Sequence, residues 1–336
     1  MTKREISLCR EKQTLKQHCE ICTGCGRCRN ADAAYCIVTK SPLQREVVEQ
    51  TGSVDKDVVI VDIGTTTVAM QLIDAGGRVK DTFLKVNPQI IYGTDVLSRI
   101  LAAEDKAAAE DMRRMISGVL QEGLDRFHLQ TADRSRLKMV LAANTTMVYL
   151  LRGYDPAKLG KAPFTVEHGE GGLIEFMGIP CYIVPGISAF VGGDIVAGAY
   201  AAGMFETDEI TLLIDLGTNG ELILGNREKR LACSTAAGPA FDGGAGKGIW
   251  GADMVSIAAT LLKEQIMDET GLLKEPYFEK GICVSGVEVT QQDIRNLQLA
   301  KAAVATGISL LTEEYGIRWE KIDRVVLAGG LGYYLK

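Results

Sequence analysis

One pattern occurs twice in this sequence, and it restricts the fold more than any other feature does. Near Asp62 and again near Asp215, an apolar strand pattern leads into Asp-x-Gly-Thr, a turn and a second apolar strand pattern. The two aspartates are about 150 residues apart, which is too long a period for a solenoid repeat. The repeat therefore predicts two related α/β lobes, each built around one such hairpin.

The segments between and after the two hairpins alternate between helix and strand patterns. Apolar residues recur every three or four positions over residues 107–127, which predicts an amphipathic helix. The further predicted elements are a buried strand from Lys138 running into a helix capped near Asn144 or Thr145, a helix from a capping box at Thr290 to about Leu311, and a terminal strand from Arg324 that enters a glycine-rich turn.

A cysteine-rich head precedes this body, and a polar segment that starts at Thr39 separates the two. We expect three parts, which are residues 1–50 as the head with its linker, 51–205 as the first lobe and 206–336 as the second lobe. Outside the head, Cys181, Cys233 and Cys283 stand among small or apolar neighbours and are expected to be buried thiols.

Composition and charge exclude several classes of protein. Hydrophobic residues make up 46% and charged residues 24% of the 336 residues, which is the balance of a folded chain with a core. The net charge of −6 and the pI near 5.3 argue against general nucleic-acid binding. The N-terminal residues lack the apolar region of a signal peptide, and no apolar run is long enough to predict a membrane span. We expect a cytoplasmic protein with no nucleic-acid or membrane partner.

The repeated hairpin has a physical logic for binding phosphate. Glycine lets the backbone approach an anion closely, and consecutive N–H groups with threonine hydroxyls form an anion-binding concavity. The aspartate that ends the first strand can hold Mg²⁺ through water. A single copy is more typical of a plain hairpin, since Asp and Gly are frequent in turns. Two copies and the terminal Gly329-Gly330-x-Gly332 turn together predict an ATP site, with the hairpins at the phosphates and the glycine turn at the adenosine.

The cysteine-rich head carries the spacing of a metal site. Two residues separate each successive pair among Cys19, Cys22, Cys25 and Cys28, and Cys36 follows. Three thiolates at this spacing can hold three corners of an iron–sulfur cubane, with a fourth to complete it. We expect Cys19, Cys22 and Cys25 together with Cys28 or Cys36, and the frame that starts at Cys22 fits nearly as well. Structural Zn²⁺ bound by four of these thiolates is the alternative.

Several short segments, together with the hairpins and the glycine turn, resemble one family. The segments are residues 87–95, 143–147, 184–194, 234–244 and 298–303. In this order they look like the ATPase domain of the reductive activators of corrinoid proteins, which are iron–sulfur ATPases of the actin, Hsp70 and sugar-kinase superfamily. The resemblance covers about residues 57–336. It implies a bilobal, duplicated ribonuclease-H-like α/β fold, and it favours a [4Fe–4S] cluster over Zn²⁺ in the head.

The resemblance also implies roles for individual residues. The first phosphate loop would consist of Asp62, Gly64, Thr65 and Thr66, and the second of Asp215, Gly217, Thr218, Asn219 and Gly220. The residues that would line the nucleotide are Gly238, Gly329, Gly330 and Gly332. Asp62 and Asp215 would position Mg²⁺ and water for hydrolysis, and Asp194 would either join them or cap the helix that follows it.

The function implied by the resemblance is ATP-dependent reductive activation. An electron would pass from the cluster in the head to a corrinoid of a methyltransferase system, reducing Co(II) to Co(I). The partners would be a corrinoid protein and an electron donor such as ferredoxin. A homodimer is a further possible assembly. The best-known members start with a plant-type ferredoxin that carries a [2Fe–2S] cluster, whose spacing is absent here. They usually continue beyond the glycine turn, whereas this sequence ends at Lys336.

Three other functions are alternatives at this point. An activator of a radical 2-hydroxyacyl-CoA dehydratase would keep the mechanism and change the client protein. A small-molecule kinase with a structural zinc head would transfer phosphate to an acceptor and give the head no redox task. A non-enzymatic, ATP-gated interaction module of the Hsp70 type would also carry zinc. The metal in the head separates the two redox functions from the other two, and phosphoryl transfer identifies the kinase.

Overall fold

The structure is a computed structural model, and it describes residues 35–38, 56–129, 134, 136–217, 219–238, 240, 251–284 and 286–329. The chain divides into a first unit within residues 48–206 and a second unit that combines residues 207–336 with an N-terminal strand. In the part of the chain that is described, no helix is long and apolar enough to span a membrane.

A six-stranded mixed sheet forms the centre of the first unit. Its strands are β2 (Val58–Ile63), β3 (Thr67–Ile73), β4 (Val79–Val86), β5 (Lys138–Ala143), β6 (Gly172–Phe176) and β7 (Ile179–Ile183). They lie in the order β4-β3-β2-β5-β7-β6. Strands β2, β5 and β7 run parallel, and the other neighbouring pairs are antiparallel. The carboxyl ends of the three parallel strands therefore meet at one edge, where α/β sheets bind their ligands.

Four α-helices with described bounds accompany this sheet. They are α1 (Val96–Ala102), α2 (Lys106–Arg126), α3 (Thr145–Arg152) and α4 (Gly193–Ala201), and two short 3-10 helices cover Pro88–Tyr92 and Ala157–Leu159. The amphipathic helix predicted over 107–127 is α2, and its Met112, Ile116 and Leu120 are fully buried in the same core as the sheet. The prediction succeeded because the apolar spacing fixes which side of the helix faces the core.

A second mixed sheet forms the centre of the other unit. Its strands are β1 (Tyr35–Val38), β8 (Thr211–Leu216), β9 (Gly220–Gly225), β10 (Arg230–Thr235) and β13 (Arg324–Ala328), and β11 (Ile282–Val284) pairs with β12 (Val287–Val289) in a separate hairpin. The order of the five strands is β1-β13-β8-β9-β10, with only β13 and β8 parallel. The helices are α5 (Gly251–Lys263), α6 (Tyr277–Lys280), α7 (Gln291–Tyr315) and a 3-10 helix at Trp319–Lys321.

Helix α7 begins at the predicted capping box. The Thr290 hydroxyl accepts from the Asp293 N–H at 3.3 Å, and the Asp293 carboxylate accepts from the Thr290 N–H at 2.8 Å. The helix ends at Tyr315 rather than near Leu311, because the residue that stops it is Gly316, whose φ of 85° is left-handed. Along α7, a Cβ at Gly307 would lie 2.6 Å from the Thr235 methyl group. Glycine at this position therefore lets the helix pack closely on β10.

The two sheets share the same central arrangement, which confirms the predicted duplication and the α/β fold class. In the first sheet the order is β4-β3-β2-β5, and in the second it is β10-β9-β8-β13. In both, a hairpin of three antiparallel strands is extended by one parallel strand. The sheets differ at the next position, where the first has the parallel strand β7 and the second has the antiparallel strand β1.

Candidate functional site

The first predicted phosphate loop is the tight turn between β2 and β3. The Gly64 N–H donates to the Thr67 carbonyl at 2.9 Å. A Cβ at Gly64 would approach that carbonyl oxygen to 3.0 Å, so the turn has little room for a larger residue. Asp62 is half-buried near the end of β2, in register with Ala142 of the parallel strand β5. The turn thus lies at the carboxyl edge of the first sheet, as a phosphate loop requires.

Buried polar side chains hold this turn from the side of the protein core. Asn87 and Arg99 have no exposed surface. The Asn87 side chain donates to the Gly64 carbonyl at 2.9 Å, and the Arg99 guanidinium donates to the Thr65 carbonyl at 2.6 Å. Sequence reasoning placed Asn87 in a family segment without a role and missed Arg99. The sequence signal that could have indicated Arg99 is its position among the apolar residues of the short segment Val96–Ala102.

The ends of β5 and β7 contribute a second group of residues to the same edge. Asn144 caps α3, as predicted, by accepting from the Met147 N–H at 2.9 Å, and its amide donates to the Thr65 hydroxyl at 3.2 Å. A Cβ at Gly192 would lie only 2.4 Å from the Asn144 Cα, so the start of α4 packs directly against this turn. Asp194 therefore lies on an element that begins at the carboxyl edge of the sheet.

Asp194 does not cap α4. The helix begins at Gly193 with Gly192 at the N-cap, and Asp194 stands in its first turn, where its carboxylate accepts from the Ile195 N–H at 2.9 Å. The capping alternative was wrong because the helix starts two residues earlier than its apolar pattern indicates. A role for Asp194 toward water or Mg²⁺ stays a prediction.

The second predicted phosphate loop is built in a different way, at the ends of β8 and β13. The Gly217 N–H donates to the Asn219 carbonyl at 2.9 Å, which closes the turn. Asp215 is half-buried and in register with Ala328, so Gly329 follows directly beside it. A Cβ at Gly329 would lie 2.3 Å from the Asp215 carboxylate, and φ at Gly329 is +74°. Both facts require glycine, and they bring the predicted aspartate and the predicted glycine turn together.

The remaining predicted nucleotide residues of this unit have separate positions. Gly220 lies at the start of β9, where the Thr235 hydroxyl donates to its carbonyl at 3.1 Å. Gly238 follows β10 with a φ of +74°, and no atom lies within 4 Å of the place where its Cβ would be. Thr218, Gly330 and Gly332 lie outside the described residues.

The predicted metal site is described only at its last cysteine. Cys36 lies on β1, paired in register with Leu327 of β13, whereas Cys19, Cys22, Cys25 and Cys28 lie outside the described residues. Among the residues that the structure does describe, no three His, Cys, Asp or Glu side chains gather as a metal site would require.

The three scattered cysteines are core thiols to different degrees. Cys181 is fully buried, and burial raises its thiol pKa to about 12. Cys233 is half-buried, with its pKa also raised by burial, and Cys283 is half-buried. The prediction of burial is confirmed for Cys181 and holds only in part for the other two. Raised pKa values make Cys181 and Cys233 poor nucleophiles near neutral pH.

Comparisons with known proteins cover nearly all of the body. Residues 58–207 match the family described as the RACo middle region, and residues 209–287 and 245–336 match the C-terminal ASKHA domain of RACo. The corrinoid activation enzyme RamQ of Eubacterium limosum is 28% identical over 347 residues, covering 82% of this chain and 57% of RamQ. A solved structure of a reductive activator for corrinoid, iron–sulfur protein superposes with a TM-score of 0.71 at 28% identity, covering 84% of this chain and 55% of that one. The chain thus spans little more than half the length of these two relatives.

Proposed function

Because this chain belongs to the RACo family of reductive activators of corrinoid proteins, we propose that it uses ATP to drive a low-potential electron onto a corrinoid. The electron comes from an iron–sulfur cluster in the N-terminal head, and the cobalt of a methyltransferase system is reduced from Co(II) to Co(I). The observation that best supports the proposal is the pair of Asp-x-Gly-Thr turns. Each turn lies at the carboxyl end of the central strand of one sheet, and each is closed by the N–H of its glycine, which donates at 2.9 Å to a backbone carbonyl within the turn.

An energy source is needed because the electron moves uphill. Moving one electron against about 0.1–0.2 V costs about 2–5 kcal/mol. A nucleotide can supply this free energy only if one of its states favours one conformation of the complex over another. The phosphate turns are suited to this task, since small changes at such loops can order or release neighbouring segments.

The residues of the chain act by positioning in this proposal. The carboxylates of Asp62 and Asp215 are half-buried and directly precede their turns, where they would hold a Mg²⁺ ion through its water ligands. Mg²⁺ neutralises phosphate charge when it is bound. The N–H groups and hydroxyls of Thr65 and Thr66 bind phosphate oxygens at the first turn. Asp194, at the start of α4, is a further candidate for orienting water.

The head supplies the redox chemistry in this proposal. Its proposed ligands are Cys19, Cys22 and Cys25, with Cys28 or Cys36 as the fourth. A [4Fe–4S] cluster supplies one-electron transfer when it is bound. We infer a corrinoid protein as the client and a ferredoxin-type protein as the electron donor, both meeting this chain in the cytoplasm. A homodimer is one assembly in which this exchange would take place.

The proposal is tested first by the metal content of the protein and then by its activity. The chain is purified anaerobically, and iron, sulfide and zinc are measured together with visible and EPR spectra before and after dithionite. We expect about four irons per chain and a signal that changes on reduction. A Co(II) corrinoid protein is then added with Mg²⁺ and ATP, and Co(I) formation is followed by absorbance.

The outcomes separate the proposal from its alternatives. Co(I) formation that requires ATP supports it, and the same assay with ADP is the control. Zinc without iron in the anaerobic preparation would remove the redox function and leave a kinase or an ATP-gated binding module. Phosphoryl transfer from ATP to a small acceptor would identify the kinase. Iron with no corrinoid reduction, but with activation of a radical dehydratase, would change the client.

A further inference from the structure

Arg99 is the most unusual charged residue in the described chain. It lies in the short helix α1, and its side chain has no exposed surface. Removing a guanidinium from water is costly unless its donors are satisfied by close partners. A fold therefore keeps a buried arginine only where the arginine meets a specific requirement.

The partners of Arg99 satisfy its donors without neutralising its charge. The guanidinium donates to the carbonyls of Gly93 at 3.0 Å and Thr65 at 2.6 Å, and to the Gln89 side chain at 3.3 Å. The Met147 sulfur lies 3.4 Å from the same group. All of these acceptors, among the residues that the structure describes, are neutral. Burial lowers the pKa of Arg99 to about 10, so the side chain is still charged near neutral pH.

The carboxylate of Asp95, whose charge acts on Arg99, is already engaged elsewhere. Asp95 acts on Arg99 through space and raises its pKa, but its carboxylate caps α1. It accepts from the Ser98 N–H at 2.9 Å and from the Ser98 hydroxyl at 2.7 Å. The positive charge of Arg99 therefore lies behind the first phosphate turn, and the Asp95 carboxylate that acts on it also accepts hydrogen bonds from Ser98.

The carbonyl groups of that turn are all held from the core side. Asn87 donates to the Gly64 carbonyl through its side chain and to the Thr66 carbonyl through its backbone N–H, both at 2.9 Å. Arg99 holds the carbonyl between them, that of Thr65. In a trans peptide the C=O and N–H point in opposite directions. Because the Gly64 and Thr65 carbonyls point toward Asn87 and Arg99, the N–H groups of Thr65 and Thr66 point away from these side chains.

We propose that Arg99, together with Asn87, is a positioning residue for nucleotide phosphates at the first turn. By fixing the Gly64 and Thr65 carbonyls, the pair orients the following N–H groups outward, where an anion can accept from them. The charge of Arg99 adds a positive potential behind the same N–H groups. This inference rests on the proposed function only in taking the ligand of the turn to be ATP.

The geometry explains why the residue is arginine rather than lysine. Its planar group reaches Gly93, Gln89 and Thr65 at once, which the single ammonium of lysine cannot do with the same geometry. Gln89 is itself anchored, since its side chain donates to the Met112 carbonyl of α2 at 2.9 Å. The turn is therefore connected through Arg99 and Gln89 to the main helix of the unit.

The test compares Arg99→Lys with a matched variant in the same unit. Arg134 is also a buried arginine that donates to backbone carbonyls, those of Leu129 and Met177, but none of its contacts is to the phosphate turn. Binding of a non-hydrolysable ATP analogue with Mg²⁺ is measured by calorimetry for the wild type, Arg99→Lys and Arg134→Lys. Adenosine binding is measured by direct calorimetry for the same proteins.

We expect Arg99→Lys to weaken binding of the ATP analogue by about 10-fold or more, as loss of a charged hydrogen bond predicts, and to leave adenosine binding unchanged. Arg134→Lys should change thermal stability and leave both affinities unchanged. Equal loss of ATP-analogue and adenosine binding in Arg99→Lys would indicate a purely structural role and overturn the inference. Unchanged ATP-analogue binding would overturn it as well. If the wild type binds no nucleotide, the proposed function fails instead.

A second variant keeps the test decisive if Arg99→Lys does not fold. Asn87→Asp retains the oxygen that accepts from the Gln89 N–H at 3.0 Å but loses the donor to the Gly64 carbonyl. We expect the same selective loss of ATP-analogue affinity, by about 10-fold, since the aspartate repels both the carbonyl and the bound phosphate. Full retention of that affinity would overturn the inference.

Discussion

The two proposed phosphate turns of this protein have the same place in the same topology, yet they are held by different means. The first turn is held by side chains from elsewhere in its unit, with Asn87 and Arg99 bonding its carbonyls. The second is closed by the hydrogen bond from the Gly217 N–H to the Asn219 carbonyl, and Gly329 lies so close to the preceding Asp215 that a Cβ there would be 2.3 Å from the carboxylate. A duplicated fold can therefore preserve strand order while each copy supports its loop independently. The following predictions test that contrast.

The largest effect is expected from neutralising the aspartate that precedes either turn. Asp62→Asn and Asp215→Asn should each lower the rate of ATP hydrolysis by at least about 100-fold, since in the proposed function each removes a charge that orients the reacting groups. Hydrolysis is measured by phosphate release at saturating Mg²⁺ and ATP. Glu175→Gln, which neutralises an exposed carboxylate on β6, is the control. A normal rate in one of the two aspartate variants would show that only the other turn takes part.

The next effect concerns the glycines of the two turns. Gly329→Ala places a methyl group 2.3 Å from the Asp215 carboxylate at a positive φ, so it should destabilise the protein by about 1–3 kcal/mol. Gly64→Ala meets a carbonyl oxygen at 3.0 Å without a positive φ, and should cost less than about 1 kcal/mol. Thermal or urea unfolding gives both values. Equal costs would contradict the idea that the closer contact and positive φ of Gly329 make glycine more strictly required there than at Gly64.

Much of this contrast could be predicted from the sequence, and part of it could not. Short-range sequence patterns predict four of these features directly, because each pattern lies within one hairpin or helix. The features are each copy of the repeated hairpin, α2, the Asn144 cap and the Thr290 capping box. The contact of Arg99 with Thr65 joins residues 34 positions apart. A single sequence does not show which distant carbonyl an arginine meets, and an arginine on a helix is usually solvated.

The same limit applies to the edge of the second sheet. The strand next to β13 at the edge of the sheet is β1, which comes from the N-terminal part of the sequence and pairs with β13 in the antiparallel direction. Its four residues include Cys36, the last cysteine of the head. The spacing of the cysteines indicated metal binding there and gave no sign of a strand. The order β7-β6 at the edge of the first sheet could not be predicted from the sequence either, because the pattern of a strand does not determine which strand it pairs with.

Helix caps offer a smaller test of the same contrast. Asn144→Ala and Thr290→Ala each remove an N-cap, so each should lower the free energy of unfolding by about 1 kcal/mol. Only Asn144 also donates to the Thr65 hydroxyl of the first turn, at 3.2 Å. We therefore expect weaker ATP-analogue binding in Asn144→Ala and unchanged binding in Thr290→Ala. Matching affinities in the two variants would remove Asn144 from the support of the turn.

The smallest effect is a dependence of stability on alkaline pH. Burial raises the pKa of Cys181 from 9.0 to about 12, so above pH 9 the unfolded chain loses a proton that the folded state keeps. The contribution to stability is complete below that pH and is lost as the pH rises toward the folded pKa. At pH 9.5 the loss is on the order of 1 kcal/mol. Comparing urea unfolding of the wild type and Cys181→Ala at pH 7 and 9.5 isolates it, because only the wild type should show this difference. An identical pH dependence in both proteins would contradict the assignment.

The pairing of β1 with β13 also has a consequence for solubility. A strand at the edge of a sheet presents free N–H and C=O groups that can pair with another chain and lead to aggregation. In the second sheet, β1 pairs with β13 from Val325 to Ala328, with Tyr35 opposite Ala328 and Val38 opposite Val325. A shortened protein that starts after Val38 would expose this edge. Because β1 is itself a short edge strand of four residues, its loss would leave β13 as the edge in its place. We therefore expect loss of the head to promote aggregation through strand pairing, even where no metal is involved.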